Sequence, residues 1–408
     1  MQLVAVGAQD IMLTGSPSIT FWRAIYRRYT SFACESIEQT FSGTVGFGRK
    51  VSCTVSRNGD LISTAYLEIV LKKKAPGASY YPAEQLISEI SLEIGGQQID
   101  KIYSDYYRIY DELFRTSSEK DAYARMTNFE SADQDGTVKR FYLPLIFFFN
   151  RSPGSALPLI SLQYHEVKIN VTFATATEVA TNGVDDTYTP SVSLWVTYVF
   201  LDSDERRRFA SASHEYLITQ TQSQGAESIA PDTSTRKTNN IRLNFNHPTK
   251  FIAWAAKVPG KHGRFNGSDS PLTTDDAYGP LYSAKLTLNG HDRFSERKGS
   301  WFNQVQAYET FQSRPAAGIY LYSFSLRPND TQPSGTCNFS RIDNATLVLT
   351  WKAGTGAGAN ITAQRSNVTS IDENTVANVA ALTNLVIFAE NYNVLRVLSG
   401  MAGLAFSN

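Results

Sequence analysis

The sequence has little of what marks a disulfide framework, a metal site or a membrane span. Its 408 residues include three cysteines, Cys34, Cys53 and Cys337, an odd number without metal-binding spacing. We therefore expect reduced thiols, as in a cytosol-like compartment. The longest apolar run, residues 141–149, is too short to span a bilayer, and residues 1–15 lack the features of a signal peptide. These absences predict a soluble chain made inside the cell, without a transmembrane segment.

An excess of charge of one sign is also missing. Basic and acidic residues number 38 each, so the net charge is zero, and no basic run exceeds the triplets at 72–74 and 206–208. Phosphate binding needs clustered positive charge, so we predict no direct binding of nucleic acid. Arg27 and Arg28, which are flanked by tyrosines, are a weak signal for nucleic acid, and we interpret them as a solvated or salt-bridged strand end.

The common catalytic motifs do not occur in the sequence. No two of the five histidines are spaced to face one metal ion, and no G-x-S-x-G motif is present. The glycine-rich stretch 43–50 lacks the spacing of a phosphate-binding loop. We interpret His165, in or beside a strand, as a structural hydrogen-bond partner. The prediction is a protein that is not an enzyme and has no catalytic residue, metal or cofactor, and a β-sandwich hydrolase with a carboxylate site is the minor alternative.

Aromatic residues and a long internal repeat are what the sequence does contain. Phe, Tyr and Trp make up 12% of the chain, which favours strands over helices. A length of 408 residues exceeds the roughly 250 to 300 residues that one hydrophobic core supports, so we expect two domains. The pattern of residues 141–173 recurs at 319–351, with the identities Tyr142/Tyr320 and Leu143/Leu321. The recurrence indicates a duplicated fold.

The last strand of each copy shows an apolar residue at every second position. This period of two is typical of a strand with one buried face. Because the alternation is kept while few identities remain, the packing of the two copies has been retained and their surfaces have diverged. The predicted buried positions are Val167, Ile169, Val171 and Phe173 in the first copy and Ala345, Leu347, Leu349 and Trp351 in the second.

Glycine-containing turns and one helical segment add local detail. The turn signals predict three hairpins, at Asn58-Gly59, Gly95-Gly96 and Asn289-Gly290. Residues 104–114 carry apolar residues at helical spacing, and Ser118 with Asp121 fits a capping box that opens a second short helix. We place the domain boundary roughly between residues 202 and 215, and a polar stretch from 220 to 240 follows it.

These patterns predict an all-β chain of two consecutive antiparallel sandwiches, with short helices inserted in loops. We place an N-terminal arm at 1–24, the first domain at 25–210 and the second at 211–408. The periodicity fits jelly rolls and immunoglobulin-like sandwiches equally well. The arm is as compatible with folding along its own domain as with reaching a neighbour.

Long blocks of the sequence resemble the major capsid proteins of nucleocytoplasmic large DNA viruses, most of all those of the algae-infecting phycodnaviruses. The resemblance implies two consecutive eight-stranded jelly rolls, a double jelly roll, and a homotrimer that forms a capsomer of near-sixfold outline. It also implies that capsomers tile an icosahedral shell, with minor capsid proteins on its inner face, and that virions assemble in the host cytoplasm. The blocks include SRNGDLI, LEIGGQQIDK, RFYLPLIFFFNRSPGSALPLISLQYHEVK, RLNFNHPTK and NYNVLRVLSGMAGLA.

Members of this family can carry covalent glycans, and the sequence contains several Asn-x-Ser/Thr sites. Asn266, Asn360 and Asn367 lie in long loops and are the candidate glycosylation sites. The loops at 257–280 and 353–375 depart from the family pattern, so the resemblance does not predict what the outer surface displays. A glycan-binding module is the alternative function from another class, because jelly rolls also occur in lectins.

Overall fold

Four antiparallel sheets, two in each half of the chain, form the framework of the computed structural model. The structure describes residues 7–19, 21–22, 28–74, 81–130, 133–134, 136–181, 184–229, 236–257, 279–355, 375–377 and 383–406. All statements below concern this described part of the chain.

The first half folds into two sheets of four principal strands each. One sheet has the order β1-β8-β3-β6 and the other the order β2-β7-β4-β5, and the short strand Leu157–Pro158 joins the edge of β3. The strands are β1 Phe32–Gln39, β2 Lys50–Thr54, β3 Leu61–Lys72, β4 Ile87–Ile94, β5 Gln97–Tyr103, β6 Val138–Pro144, β7 Val167–Phe173 and β8 Ser191–Leu201.

The second half repeats this arrangement. Its sheets have the orders β9-β16-β11-β14 and β10-β15-β12-β13. Its strands are β9 His214–Ser228, β10 Lys237–Leu243, β11 Pro248–Lys257, β12 Leu281–Leu288, β13 His291–Asp292, β14 Ile319–Ser323, β15 Ala345–Trp351 and β16 Asn384–Leu398. Short strands at Arg297–Lys298, Cys337–Asn338 and Met401–Leu404 extend these sheets, and Ala353–Thr355 pairs in parallel with Thr375–Ala377.

The strand orders of the two halves are the same when strands are counted from the start of each half. The first, eighth, third and sixth strands form one sheet, and the second, seventh, fourth and fifth form the other. This interleaving is the jelly-roll topology, so it decides against the immunoglobulin-like alternative. The predicted double jelly roll is confirmed.

Short helices occupy the connections between strands. The predicted helix at 104–114 is confirmed, but the capping box of the next helix is Thr116 with Glu119 and not Ser118 with Asp121. The Thr116 backbone N–H donates to Glu119 Oε2 over 2.7 Å, a closure that the longer Glu side chain permits. The helices are α1 Asp10–Thr14, α2 Pro82–Gln85, α3 Ser104–Phe114, α4 Ser117–Thr127, α5 Phe148–Arg151, α6 Ala176–Thr181, α7 Ser203–Ser211 and α8 Gln306–Phe311, with a π-helical turn at Trp301–Val305 and 3-10 turns at Pro153–Ser155, Leu159–Ser161 and Phe339–Arg341.

The alternating strands bury the faces that the sequence predicts. In β7 and in β15, every second residue from the first to the last is buried, and the residues between them are half-buried. Phe173 and Trp351 end these strands and are among the largest fully buried side chains. The inward and outward phases of both strands are therefore confirmed.

Two of the three predicted hairpins form and the third does not. β4 pairs with β5 across Gly95-Gly96, and β12 pairs with β13 across Asn289-Gly290, and all four turn residues have positive φ. The hairpin predicted at Asn58-Gly59 is wrong, because β2 pairs with β7 while β3 pairs with β6 and β8. This turn carries the chain from one sheet to the other, where the Leu201 N–H donates to Asp60 Oδ2 over 2.8 Å.

The identical pairs in the repeat do not occupy equivalent faces. Leu143 lies opposite Leu67 in the first core, which leaves Tyr142 pointing outward. In the second half it is Tyr320 that lies inward, opposite Trp254. The structural equivalence of β6 and β14 is therefore offset by one residue from the alignment that the identities suggest.

Candidate functional site

The two central strands of one sheet of the second sandwich, β11 and β16, are buried on both faces over most of their length. In β11, Ile252, Trp254 and Ala256 pack in the core of the second sandwich. The alternate residues, Phe251 and Ala255 among them, pack with residues of the first half. This double burial explains why β11 shows no apolar alternation in the sequence, as expected of strands covered on both sides. The first sandwich covers the outward face of this sheet, and we call the contact the seam.

Aromatic side chains of α3 form the apolar part of the seam. The ring of Tyr106 lies 5.4 Å from that of Phe388, between centroids, and the ring of Phe114 lies 5.8 Å from Phe251 and 5.2 Å from Phe311. Such pairs contribute roughly 0.5 to 1.5 kcal/mol each beyond their buried area. The helix that decorates the first sandwich thus supplies the aromatic contacts with the second.

A buried ion cluster lies beside these rings. Glu390 has no solvent exposure and accepts from Lys250 Nζ at 2.7 Å, from Arg151 Nη1 at 2.8 Å and from the Tyr106 hydroxyl at 2.7 Å. Burial by itself raises the pKa of Glu390, but the positive charges of Arg151 and Lys250 and the hydrogen bonds from Lys250 and Tyr106 lower it to about 2. Two of the three partners come from the first half, so the charged carboxylate joins the two sandwiches.

A polar strand completes the seam. The Thr221 N–H donates to Asp100 Oδ1 over 2.9 Å, and the Gln220 side chain donates to the carbonyl of Ile99. The start of the polar stretch that follows the predicted domain boundary is therefore part of a strand, since β9 extends to Ser228. The Gln220 side chain bonds to the first half, and the side chains of Gln222 and Gln224 donate to backbone carbonyls of the second half, so polar residues replace the apolar alternation that marks strands.

Asp100 makes the seam sensitive to pH. Burial raises its pKa to about 7, in opposition to the hydrogen bonds from the backbone N–H groups of Thr221 and Lys101 and to the charge of Arg151. A raised pKa adds stability below the unfolded value of about 3.9, and that stability is lost as the pH rises through about 7. We expect the melting temperature of wild type to fall as the pH rises from about 4 to about 7 and to level off above that, and to change less in Asp100→Asn, which keeps the acceptor oxygen. An equal fall in both proteins, measured by calorimetry, would contradict this assignment.

The C-terminal strand ties the second half to the first. The Ala402 N–H donates to Nδ1 of His165 over 3.1 Å, and the Leu404 N–H donates to Oε1 of Gln97 over 3.2 Å. The interpretation of His165 as a structural hydrogen-bond partner is confirmed. These hydrogen bonds add to the contacts that join the two sandwiches.

Large apolar side chains remain exposed outside the seam. The described residues of the N-terminal arm do not pack on their own sandwich, since no residue of α1 is buried. On the second sandwich, Tyr308 is 75% exposed and Leu326 is 77% exposed. Exposed apolar side chains in such numbers are typical of surfaces that bind another molecule. Those of the arm are Ile11, Met12, Leu13, Ile19, Phe21 and Trp22.

The three cysteines are free thiols, as predicted. Burial raises the pKa of the Cys53 thiol to about 11, which keeps it protonated and unreactive. Within the described ranges, no group of three His, Cys, Asp or Glu residues could hold a metal ion. The candidate glycosylation sites Asn266, Asn360 and Asn367 lie outside the described residues.

Among the residues the structure describes, no helix is long and apolar enough to cross a membrane.

Two jelly rolls fused along a buried seam define the double jelly-roll class. The family model for the N-terminus of major capsid proteins matches residues 20–202, and the model for large eukaryotic DNA virus major capsid proteins matches residues 205–403. The chain belongs to this family of viral major capsid proteins, so it is a structural component of a capsid.

Individual relatives agree with the family models. The major capsid protein of Paramecium bursaria Chlorella virus 1 is 50% identical, and that of Pyramimonas orientalis virus is 44% identical, with 100% of this chain and 99% of each relative covered. The solved PBCV-1 capsid chain matches with a TM-score of 0.89 and 48% identity, over 95% of this chain and 100% of that one. The Faustovirus major capsid protein shares the fold with a TM-score of 0.69 at 11% identity.

Proposed function

We propose that three copies of this chain form a capsomer of near-sixfold outline, and that such capsomers tile an icosahedral shell. The observation that carries the proposal is the repeated strand order in two sandwiches joined by a buried seam. Three rigid pairs of similar units supply six units to one ring. A closed ring of this kind needs only three subunits to associate.

Light scattering coupled to size-exclusion chromatography tests this proposal. We expect a mass of three chains, about 136 kDa for a 45.3 kDa subunit. Negative-stain images of the same peak should show particles with a hexagonal outline. A stable monomer under capsid assembly conditions would contradict the proposal.

We propose the division into an arm at 1–24, a first jelly roll at 25–210 and a second at 211–408. The two family matches, which end at 202 and begin at 205, support a boundary in this region. Helix α7, Ser203–Ser211, connects β8 to β9 and has no buried residue, as expected of a linker between domains. Limited proteolysis that cuts first within α7 would support the boundary.

The remaining partners are proposals that follow from the capsid role. We propose minor capsid proteins on the inner face of the shell, covalent glycans at Asn266, Asn360 and Asn367, and assembly in the host cytoplasm. The equal numbers of basic and acidic residues support a shell that does not bind the genome directly. The chain is proposed to have no catalytic role. Mass spectrometry of peptides from virions tests the three glycan positions.

A further inference from the structure

The first sandwich has an exposed counterpart of the sheet face that the seam covers. In the second sandwich the outward face of β9-β16-β11-β14 is buried by the first sandwich. The matching sheet of the first sandwich, β1-β8-β3-β6, presents Tyr66, Trp195 and Tyr142 outward. The rings of Tyr66 and Trp195 stack in parallel with centroids 6.3 Å apart, and Tyr142 is 37% exposed. We call these three residues the aromatic face.

The strand registers show that the two faces are equivalent. Tyr66 lies opposite Trp195 on one side and Pro144 on the other. Ala253 lies in the same way between Phe388 and Leu321. In both sheets the third strand carries a bulge before this point, between Ile62 and Thr64 or between Thr249 and Phe251. Trp195 therefore occupies the place of Phe388.

The two equivalent residues differ in what covers them. Phe388 is 1% exposed because the rings of Tyr103 and Tyr106 from the first sandwich lie on it, at 6.2 and 5.4 Å. Trp195 is only half-buried, and its shielded indole Nε1–H has no acceptor among the described residues. Shielded N–H donors in native proteins nearly always have an acceptor, and a second molecule bound to this face can supply one.

The covering elements also have exposed equivalents. The first sandwich covers the seam with α3, between its fifth and sixth strands, and with α5, after its sixth strand. At the corresponding places the second sandwich carries the π-helical turn with α8, and the loop after β14. These segments expose Val305, Tyr308 and Leu326, and the Asn329 side chain joins them by donating to the Phe311 carbonyl over 3.3 Å. We call these three residues the covering surface.

We infer that the aromatic face of one chain is the docking site for the covering surface of a second copy, in a repeat of the seam between molecules. The contact joins two different surfaces. Any chain of copies that has not closed into a ring therefore keeps one free aromatic face at one end and one free covering surface at the other. Six sandwich-to-sandwich steps of about 60° close the ring after three chains. This inference rests on the proposed trimer and specifies its interface.

Two variants with complementary defects test the inference. Tyr66→Asp/Tyr142→Asp disables the aromatic face and keeps the covering surface, and Tyr308→Asp/Leu326→Asp does the reverse. We expect each variant alone to fall from a trimer to a monomer in light scattering. An equimolar mixture should give dimers, because one intact pair of surfaces remains and the other two surfaces are blocked.

The controls separate this inference from the trimer itself. Thr346→Asp, on the outward face of the other sheet of the second sandwich, should leave the trimer unchanged, and calorimetry should show that all variants are folded. If the aromatic-face variant unfolds, the milder Tyr142→Ala should still weaken the trimer at least tenfold in dissociation constant. If wild type is a trimer and both double variants are also trimers, the proposed interface is wrong. It is also wrong if the equimolar mixture of the two variants stays monomeric. A monomeric wild type would instead reject the trimer.

Discussion

Replacing Trp351 or Phe173 by Asp is expected to abolish soluble trimer. Both side chains are among the largest fully buried ones, at the ends of the equivalent strands β15 and β7. A carboxylate at either position is an unpaired charge in a core, which costs several kcal/mol. Because a domain is stable by only about 5 to 15 kcal/mol in total, this loss is comparable to the whole free energy of unfolding. Soluble yield and thermal melting measure the effect.

Thr350→Asp is the matched control for Trp351→Asp. Thr350 lies next to Trp351 in β15, on the half-buried outward side of the strand, so the carboxylate of the introduced Asp remains hydrated. We expect a yield close to wild type and a change in stability of about 0.5 kcal/mol or less. Normal yield and melting of the Trp351→Asp and Phe173→Asp proteins would show that these positions tolerate charge and that the assigned cores are wrong.

Removing the carboxylate of Glu390 is expected to cause the second largest loss in the free energy of unfolding. Glu390→Ala leaves the buried Lys250 and the half-buried Arg151 without their counter-charge, and breaking a buried pair such as Lys250–Glu390 costs about 3 to 5 kcal/mol. The free energy of unfolding in urea measures the loss. The same reasoning predicts that replacing all three ionic residues by Met recovers most of the stability, because no uncompensated charge then remains.

Glu215→Gln is the control for the loss of an ion pair. Glu215 pairs with Arg396 at 2.8 Å, but the side chains are 62% and 60% exposed. An exposed pair of this kind contributes below about 1 kcal/mol. Equal losses in Glu215→Gln and Glu390→Ala would contradict the importance of burial.

The pH dependence of the Glu390 cluster has the opposite sign to that of Asp100. Because the pKa of Glu390 is lowered to about 2 in the folded protein, its stabilisation is complete above the unfolded value of about 4.3. It is lost as the pH falls toward about 2. The two carboxylates therefore weaken the seam at opposite ends of the pH range.

Local patterns in the sequence were sufficient for the elements whose partners lie nearby. The hairpin at Gly95-Gly96 needs only two adjacent strands and residues that accept positive φ, and it was predicted correctly. The turn at Asn58-Gly59 has the same local signal, yet its strands join different sheets. Nothing within a few residues of this turn distinguishes the two outcomes, because the choice depends on β7 and β8, far along the chain.

The sequence by itself determined that two similar all-β units follow one another, because strand alternation and a repeat are properties of neighbouring residues. It also determined the inward phase of β7 and β15. Only the tertiary structure decided that the central strands of one sheet are buried on both faces and that Glu390 meets Tyr106, 284 residues away. Contacts at that separation depend on how the two sandwiches pack, since each partner taken alone resembles an ordinary surface residue.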